Sequence, residues 1–163
     1  MKYQTDFTNE MQICKSGCFV CSIATECEKA IGHELSHSEF LEVVADANKK
    51  HILAFEYRDY SKPGCFIMDD EAFGNLVLDK LKSTERYHSI GRIYTQEGQE
   101  HCRDTNAFAS DNTTYQEISG QANIIILQVQ TENGGHFRGL DHDPYRPGTK
   151  TKYIKSFRYA RIY

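Results

Sequence analysis

The chain has 163 residues, 39% of them hydrophobic and 26% charged, with a formal net charge of −4. That length suits a single domain, 1–163, with a core of its own, and the composition reads as soluble and globular. The acidic balance argues against a nucleic-acid binder, and no apolar run is long enough to span a bilayer.

Residues 1–17 are polar, read as irregular, and contain no apolar signal core, so the expected location is cytoplasmic. In that setting the six cysteines read as free thiols rather than a disulfide framework. From Cys18 the pattern turns helical, with Phe19, Val20, Ile23, Ala24, Cys27 and Ile31 on one face and Gly32 as the stop. Ser36 followed by Glu39 reads as a capping box for a second helix, whose apolar face is Phe40, Leu41, Val43, Val44 and Ala47. Residues 51–58 are ambiguous between helix and strand, 61–64 form a turn, and 65–68 fit a short strand. Asp69 or Asp70 caps a third helix carrying Phe73, Leu76, Val77 and Leu81.

Beyond residue 82 the pattern changes to strands at 87–95, 122–130, 136–140 and 154–163. The stretch 96–120 between the first two is polar and loop-rich, and long loops of this kind often line a cleft. Thr131-Glu132-Asn133-Gly134-Gly135 reads as a hairpin turn, its glycines free to adopt positive φ. In the basic tail, Lys150, Lys152, Lys155, Arg158 and Arg161 are interleaved with Tyr153, Ile154, Phe157, Tyr159 and Ile162, as in a strand with one solvated face. Helices first and antiparallel strands later make an α+β domain.

The residues able to do chemistry are Gln12, six positions before Cys18, together with His136 and Asp143. A cysteine opening a helix meets the positive end of the dipole, which favours its thiolate. A thiolate, an imidazole and an amide donor suffice to hydrolyse an amide. Gln12 with Gly17-Cys18 at the helix start, Gly135-His136-Phe137 on a late strand and Asp143-Pro144 after it resemble the papain-like cysteine peptidase superfamily. The resemblance is greatest to its small bacterial branch, related to bacteriocin-processing peptidases. It implies a papain-like fold, with N-terminal helices packed on a C-terminal antiparallel sheet. It also implies Cys18 as nucleophile, His136 as general base and acid, Asp143 as the orienting acid and Gln12 as oxyanion donor. No cofactor is implied. The implied partner is a peptide or protein substrate, a cell-wall peptide among the candidates.

The chain departs from that family in lacking tryptophan and in the short interval between His136 and the acid. A tight turn at Gly139-Leu140 brings Asp143 opposite His136, whereas a straight strand leaves it about 23 Å away. Asp141 is the second choice of acid, and Asn123 and Asn133 are more distant ones. The short interval also fits an alternative, a catalytically idle papain-like binding module. A third reading takes Cys14-x3-Cys18-x2-Cys21 as ligands of an iron–sulfur cluster, or with His33 or His37 as a zinc site. Against the cluster, no strand precedes Cys14 and the chain lacks repeated strand–helix units.

Overall fold

The computed structural model describes residues 1–10, 13, 16–54, 65–94, 120–146 and 148–163, with Phe66, Ile93 and Tyr94 described by backbone alone. Gln12, Cys14 and residues 95–119 of the polar stretch lie outside the described residues. A short 3-10 helix (Gln4–Asp6) precedes three α-helices, α1 (Cys18–Ile31), α2 (His37–Lys49) and α3 (Asp70–Lys80). The two-residue strands β1 (Leu53–Ala54) and β2 (Phe66–Ile67) pair with each other. Strands β3 (Tyr87–Tyr94), β4 (Ile124–Thr131), β5 (Gly134–Gly139) and β6 (Thr151–Ile162) form an antiparallel sheet in the order β3-β6-β4-β5. The fold is therefore α+β, with three helices and a four-stranded antiparallel sheet among the described residues.

The helix ends are fixed by local chemistry. Ser36 Oγ accepts from the Glu39 N–H at 3.1 Å, and Glu39 Oε1 accepts from the Ser36 N–H at 2.9 Å, which completes the capping box of α2. Asp69, rather than Asp70, caps α3 by accepting from the Ala72 N–H at 3.0 Å. Gly32 ends α1 at φ +75°, donating its N–H to Glu28 O at 2.8 Å.

Helix α1 is buried on more than the predicted face. Val20, Cys21, Ile23, Ala24 and Cys27 are wholly inaccessible, and Ser22, Thr25, Glu26 and Glu28 are buried as well. A helix enclosed on several sides is a central element rather than a surface one. One side meets β4 and β5, and another meets α3. Lys2 covers a further part, with its Nζ 2.7 Å from both Glu28 Oε2 and Leu35 O. The N-terminal segment is thus less irregular than its polarity suggests, and Phe7 and Ile13 belong to the main core.

The sheet alternates as a two-faced layer. Ile124, Ile126, Ala160 and Ile162 join the helices in the main core, while Leu127, Val129, Ile154, Phe157 and Tyr159 form a second apolar cluster. The β4–β5 hairpin is tighter than the sequence suggests. Thr131 pairs with Gly134, so Glu132 and Asn133 alone make the turn, and Gly134 and Gly135 already belong to β5. Gly134 does hold φ +116°, the freedom expected of it, while opening a strand. The last strand also begins three residues earlier than its apolar pattern indicates, at Thr151, which pairs with Thr131.

Candidate active site

Two elements meet at the site: the first turn of α1 and the edge strand β5. Gly17 gives α1 its entry. Its N–H donates to Ile13 O at 2.8 Å, and a Cβ at this position would lie 2.4 Å from that same oxygen. The missing side chain therefore makes room for the Ile13 backbone. Cys18 follows as the first helical residue, half-buried, whereas Cys21, Cys27 and Cys65 are buried.

Strand β5 approaches Cys18 edge-on. The Phe137 N–H donates to Cys18 Sγ at 3.4 Å. Ser22 Oγ lies 2.7 Å from Cys18 O and 3.5 Å from Phe137 O, tying the same helix turn to the same strand residue. The rings of Phe19 and Phe137 stack at 4.3 Å and 11°, with the Arg158 guanidinium 4.9 Å from both centroids. The two residues that follow Cys18 and His136 in sequence thus clamp helix to strand.

His136 is 7% exposed. Its Nε2 donates to Asp143 Oδ1 at 2.7 Å, which leaves Nδ1 as the nitrogen for sulfur. Burial disfavours the imidazolium, but hydrogen bonds with Asp143 and with the Cys18 sulfur, and the charges of both groups, outweigh it. The result is a pKa pushed up to about 9, well above that of a free imidazole.

Asp143 is the most heavily bonded carboxylate of the site. Besides His136 it accepts from the Tyr145 N–H at 2.9 Å, the Thr149 N–H at 2.8 Å and Thr149 Oγ1 at 2.7 Å. Arg138 Nη1 stands 3.8 Å from its other oxygen. Burial opposes its charge, but the His136, Thr149 and Tyr145 donors prevail and hold the carboxyl well below the usual carboxylate range.

The turn that brings Asp143 to His136 is closed by the Gly139 N–H donating to His142 O at 2.9 Å. The chain beyond Gly139 does not continue as a paired strand, so the His136–Asp143 contact comes from the loop rather than from the strand register expected at Gly139-Leu140. The N-terminal segment straps this loop from outside. His142 Nε2 donates to Lys2 O at 2.9 Å, the Gln4 N–H to Pro144 O at 2.8 Å, and the Arg146 N–H to Thr5 Oγ1 at 3.2 Å. Tyr3 packs edge-on against the His142 ring and under the Arg146 guanidinium.

Of the candidate residues read from the sequence, Cys18, His136 and Asp143 come together, and Gln12 lies outside the described residues. Asp141 points elsewhere, 69% exposed at its side chain and held by Lys29 Nζ at 2.9 and 3.0 Å. Asn123 bridges the Ile162 backbone at 3.0 Å on both sides, and the Asn133 N–H donates to Thr131 Oγ1 at 3.2 Å. Sequence reading missed Thr149, Phe19 and Arg158. Thr149 could have been suspected from its place just after the dipeptide Pro147-Gly148, a sequence that favours turns. Phe19 and Arg158 carry no such local signal.

No group of three or more metal-capable side chains occurs among the described residues, with Cys14 outside them. No helix of the described residues is long and apolar enough to cross a membrane. Compared with family models, with curated proteins and with solved structures, the chain matches none of them.

Proposed function

We propose that the protein is a papain-like cysteine hydrolase cleaving a peptide, amide or isopeptide bond through Cys18, His136 and Asp143. The observation that carries this reading is the 2.7 Å bond between His136 Nε2 and Asp143, on a strand whose next residue, Phe137, donates its N–H to the Cys18 sulfur at 3.4 Å. Asp143 fixes which ring nitrogen faces sulfur and stabilises the imidazolium. The Cys18 thiolate attacks the carbonyl carbon and forms a tetrahedral oxyanion. His136 then gives its proton to the leaving amine, and the thioester remains. Water, deprotonated by the same imidazole, releases the acid and restores the thiol–imidazole pair. Gln12 fits the role of side-chain oxyanion donor, and a peptide or protein, cell-wall peptides included, is the substrate class.

The alternative, an idle binding module, is favoured by the short interval between His136 and its acid, and the 2.7 Å bond between the two fits the hydrolase reading. The iron–sulfur reading gains nothing from a sheet that is antiparallel throughout its described strands.

The test uses an activated acyl ester such as p-nitrophenyl acetate. Acetylation should appear by mass spectrometry on Cys18, be absent in Cys18→Ala, and fall about 100-fold or more in rate in His136→Ala. Undiminished ester hydrolysis by folded Cys18→Ala would remove Cys18 from the mechanism.

A further inference from the structure

A second thiol lies one helical turn from the candidate nucleophile, and the hydrolytic chemistry has no use for it. Cys18 is the first residue of α1 and Cys21 the fourth. The turn between them is regular, with the Cys21 N–H donating to Gly17 O at 3.0 Å. Residues three apart in an α-helix have Cα atoms about 5 Å apart, inside the window that a disulfide spans without backbone movement. Side chains of a helix lean toward its N-terminus, so Cys21 leans over the turn that begins with Cys18.

The accessibilities of the pair are unequal in a useful way. Cys18 is the half-buried thiol of the described four, and Cys21 is wholly inaccessible. An oxidant thus reaches Cys18 first. Cys27 lies about 13 Å further along the helix axis, beyond reach of Cys18, with its Sγ 3.8 Å from Gly74 O. Burial, with the nearby Cys18 and Cys65 sulfurs adding to it, pushes the Cys21 thiol up, so it stays protonated and inert until Cys18 is oxidised.

We propose that Cys18 and Cys21 form a reversible disulfide that takes Cys18 out of action under peroxide and returns it on reduction. The Cys18 sulfur attacks one oxygen of hydrogen peroxide. An S–O bond forms, the O–O bond breaks, and the departing hydroxide takes up the proton given up by the Cys18 thiol and leaves as water, so Cys18 becomes a sulfenic acid. Cys21 sulfur then attacks the Cys18 sulfur. The S–S bond forms, the S–O bond breaks, and the Cys21 proton leaves with the departing oxygen as water. Two thiols and one peroxide give one disulfide and two waters. A dithiol reverses the bridge by attacking the accessible Cys18 sulfur, with Cys21 as leaving group, and is itself oxidised to its disulfide. The high effective concentration of Cys21 makes this resolution faster than a second oxidation of Cys18 to sulfinic acid.

This inference goes beyond the hydrolase reading, since it needs a reactive Cys18 and no amide turnover. The test treats the full chain with one equivalent of hydrogen peroxide, unfolds it in urea, caps free thiols with iodoacetamide and maps the cysteines by mass spectrometry after proteolysis. The expected product is a Cys18–Cys21 bridge with Cys27 alkylated, and dithiothreitol should restore alkylation of Cys18. With two or more equivalents of peroxide, Cys18 in Cys21→Ala or Cys21→Ser should advance to sulfinic acid, and dithiothreitol should fail to recover it. Mapping of the wild-type chain decides the matter even if neither variant folds. Cys18 bridged to another cysteine, or a sulfinic Cys18 beside a free Cys21, would overturn the proposal. Because the readout is mass and not hydrolysis, a chain that bridges without cleaving esters keeps this inference and loses the hydrolase.

Discussion

His136 and Asp143 set the protonation state of the site, and their exchange of charge can be read directly. Replacing Asp143 by Asn keeps the shape and removes the charge. In that variant the His136 pKa should fall from about 9 by about 1–3 units, followed by NMR titration of its ring. A titration unchanged from wild type would show that Asp143 is not what holds the imidazolium. Thr149 acts one step further out, giving both its hydroxyl and its N–H to one carboxylate oxygen. Thr149→Ala removes one charge-assisted bond while the other donors stay, so the expected cost is about 1.5 kcal/mol in urea unfolding. A cost near zero would mean that the hydroxyl is readily replaced by water.

The elements that carry the site are held by contacts far apart in sequence. The 142–146 loop is strapped by residues 2–5, and Lys29 anchors its start through Asp141. His142→Ala cuts the bond to Lys2 O and the contact with Tyr3 while leaving Cys18, His136 and Asp143 in the chain. Its expected effect is a drop in ester turnover, accompanied by a lowered His136 pKa as Asp143 loosens. Lost turnover with an unmoved His136 titration would mean that the strap does not act through Asp143. Helix boundaries were legible in the sequence because their signals are local: Ser36 with Glu39, Asp69, and Gly32 each act within one turn of chain. The strands were legible from alternation, but their ends were not. Two glycines after Asn133 suggested a longer turn than the Thr131–Gly134 pairing allows. The candidate triad was legible as residue types in order. The contact between His136 and Asp143 was not, since it depends on a loop held by residues about 140 positions away.

At the scale of the whole molecule, His136 and Asp143 each contribute a pH dependence to stability. His136 is raised in the folded state, so its contribution is complete below about 6.5 and lost as pH rises through about 9. Asp143 is lowered, so its contribution is complete above about 4 and lost as acid brings the pH down through its depressed folded value. The contribution of this pair to the urea midpoint should therefore be greatest between about pH 4 and 6.5 and decline on both sides, so the alkaline decline should be weakened in His136→Ala. An equally steep decline in that variant would assign it to other groups. The apolar enclosure of α1 serves the same end, because Val20, Ile23 and Ala24 are wholly inaccessible and hold the helix that presents Cys18 rigidly against the sheet.

All of this turns on whether sulfur and imidazole act as one unit, and thiol alkylation asks that question without a substrate. The measurement is the rate at which iodoacetamide modifies Cys18 at pH 6, followed by mass spectrometry in the wild type and in His136→Ala. An imidazolium held beside sulfur should make the wild type at least about 10-fold faster than the variant. Equal rates in the two folded proteins would contradict the account, leaving Cys18 an ordinary thiol beside a histidine that does not influence it.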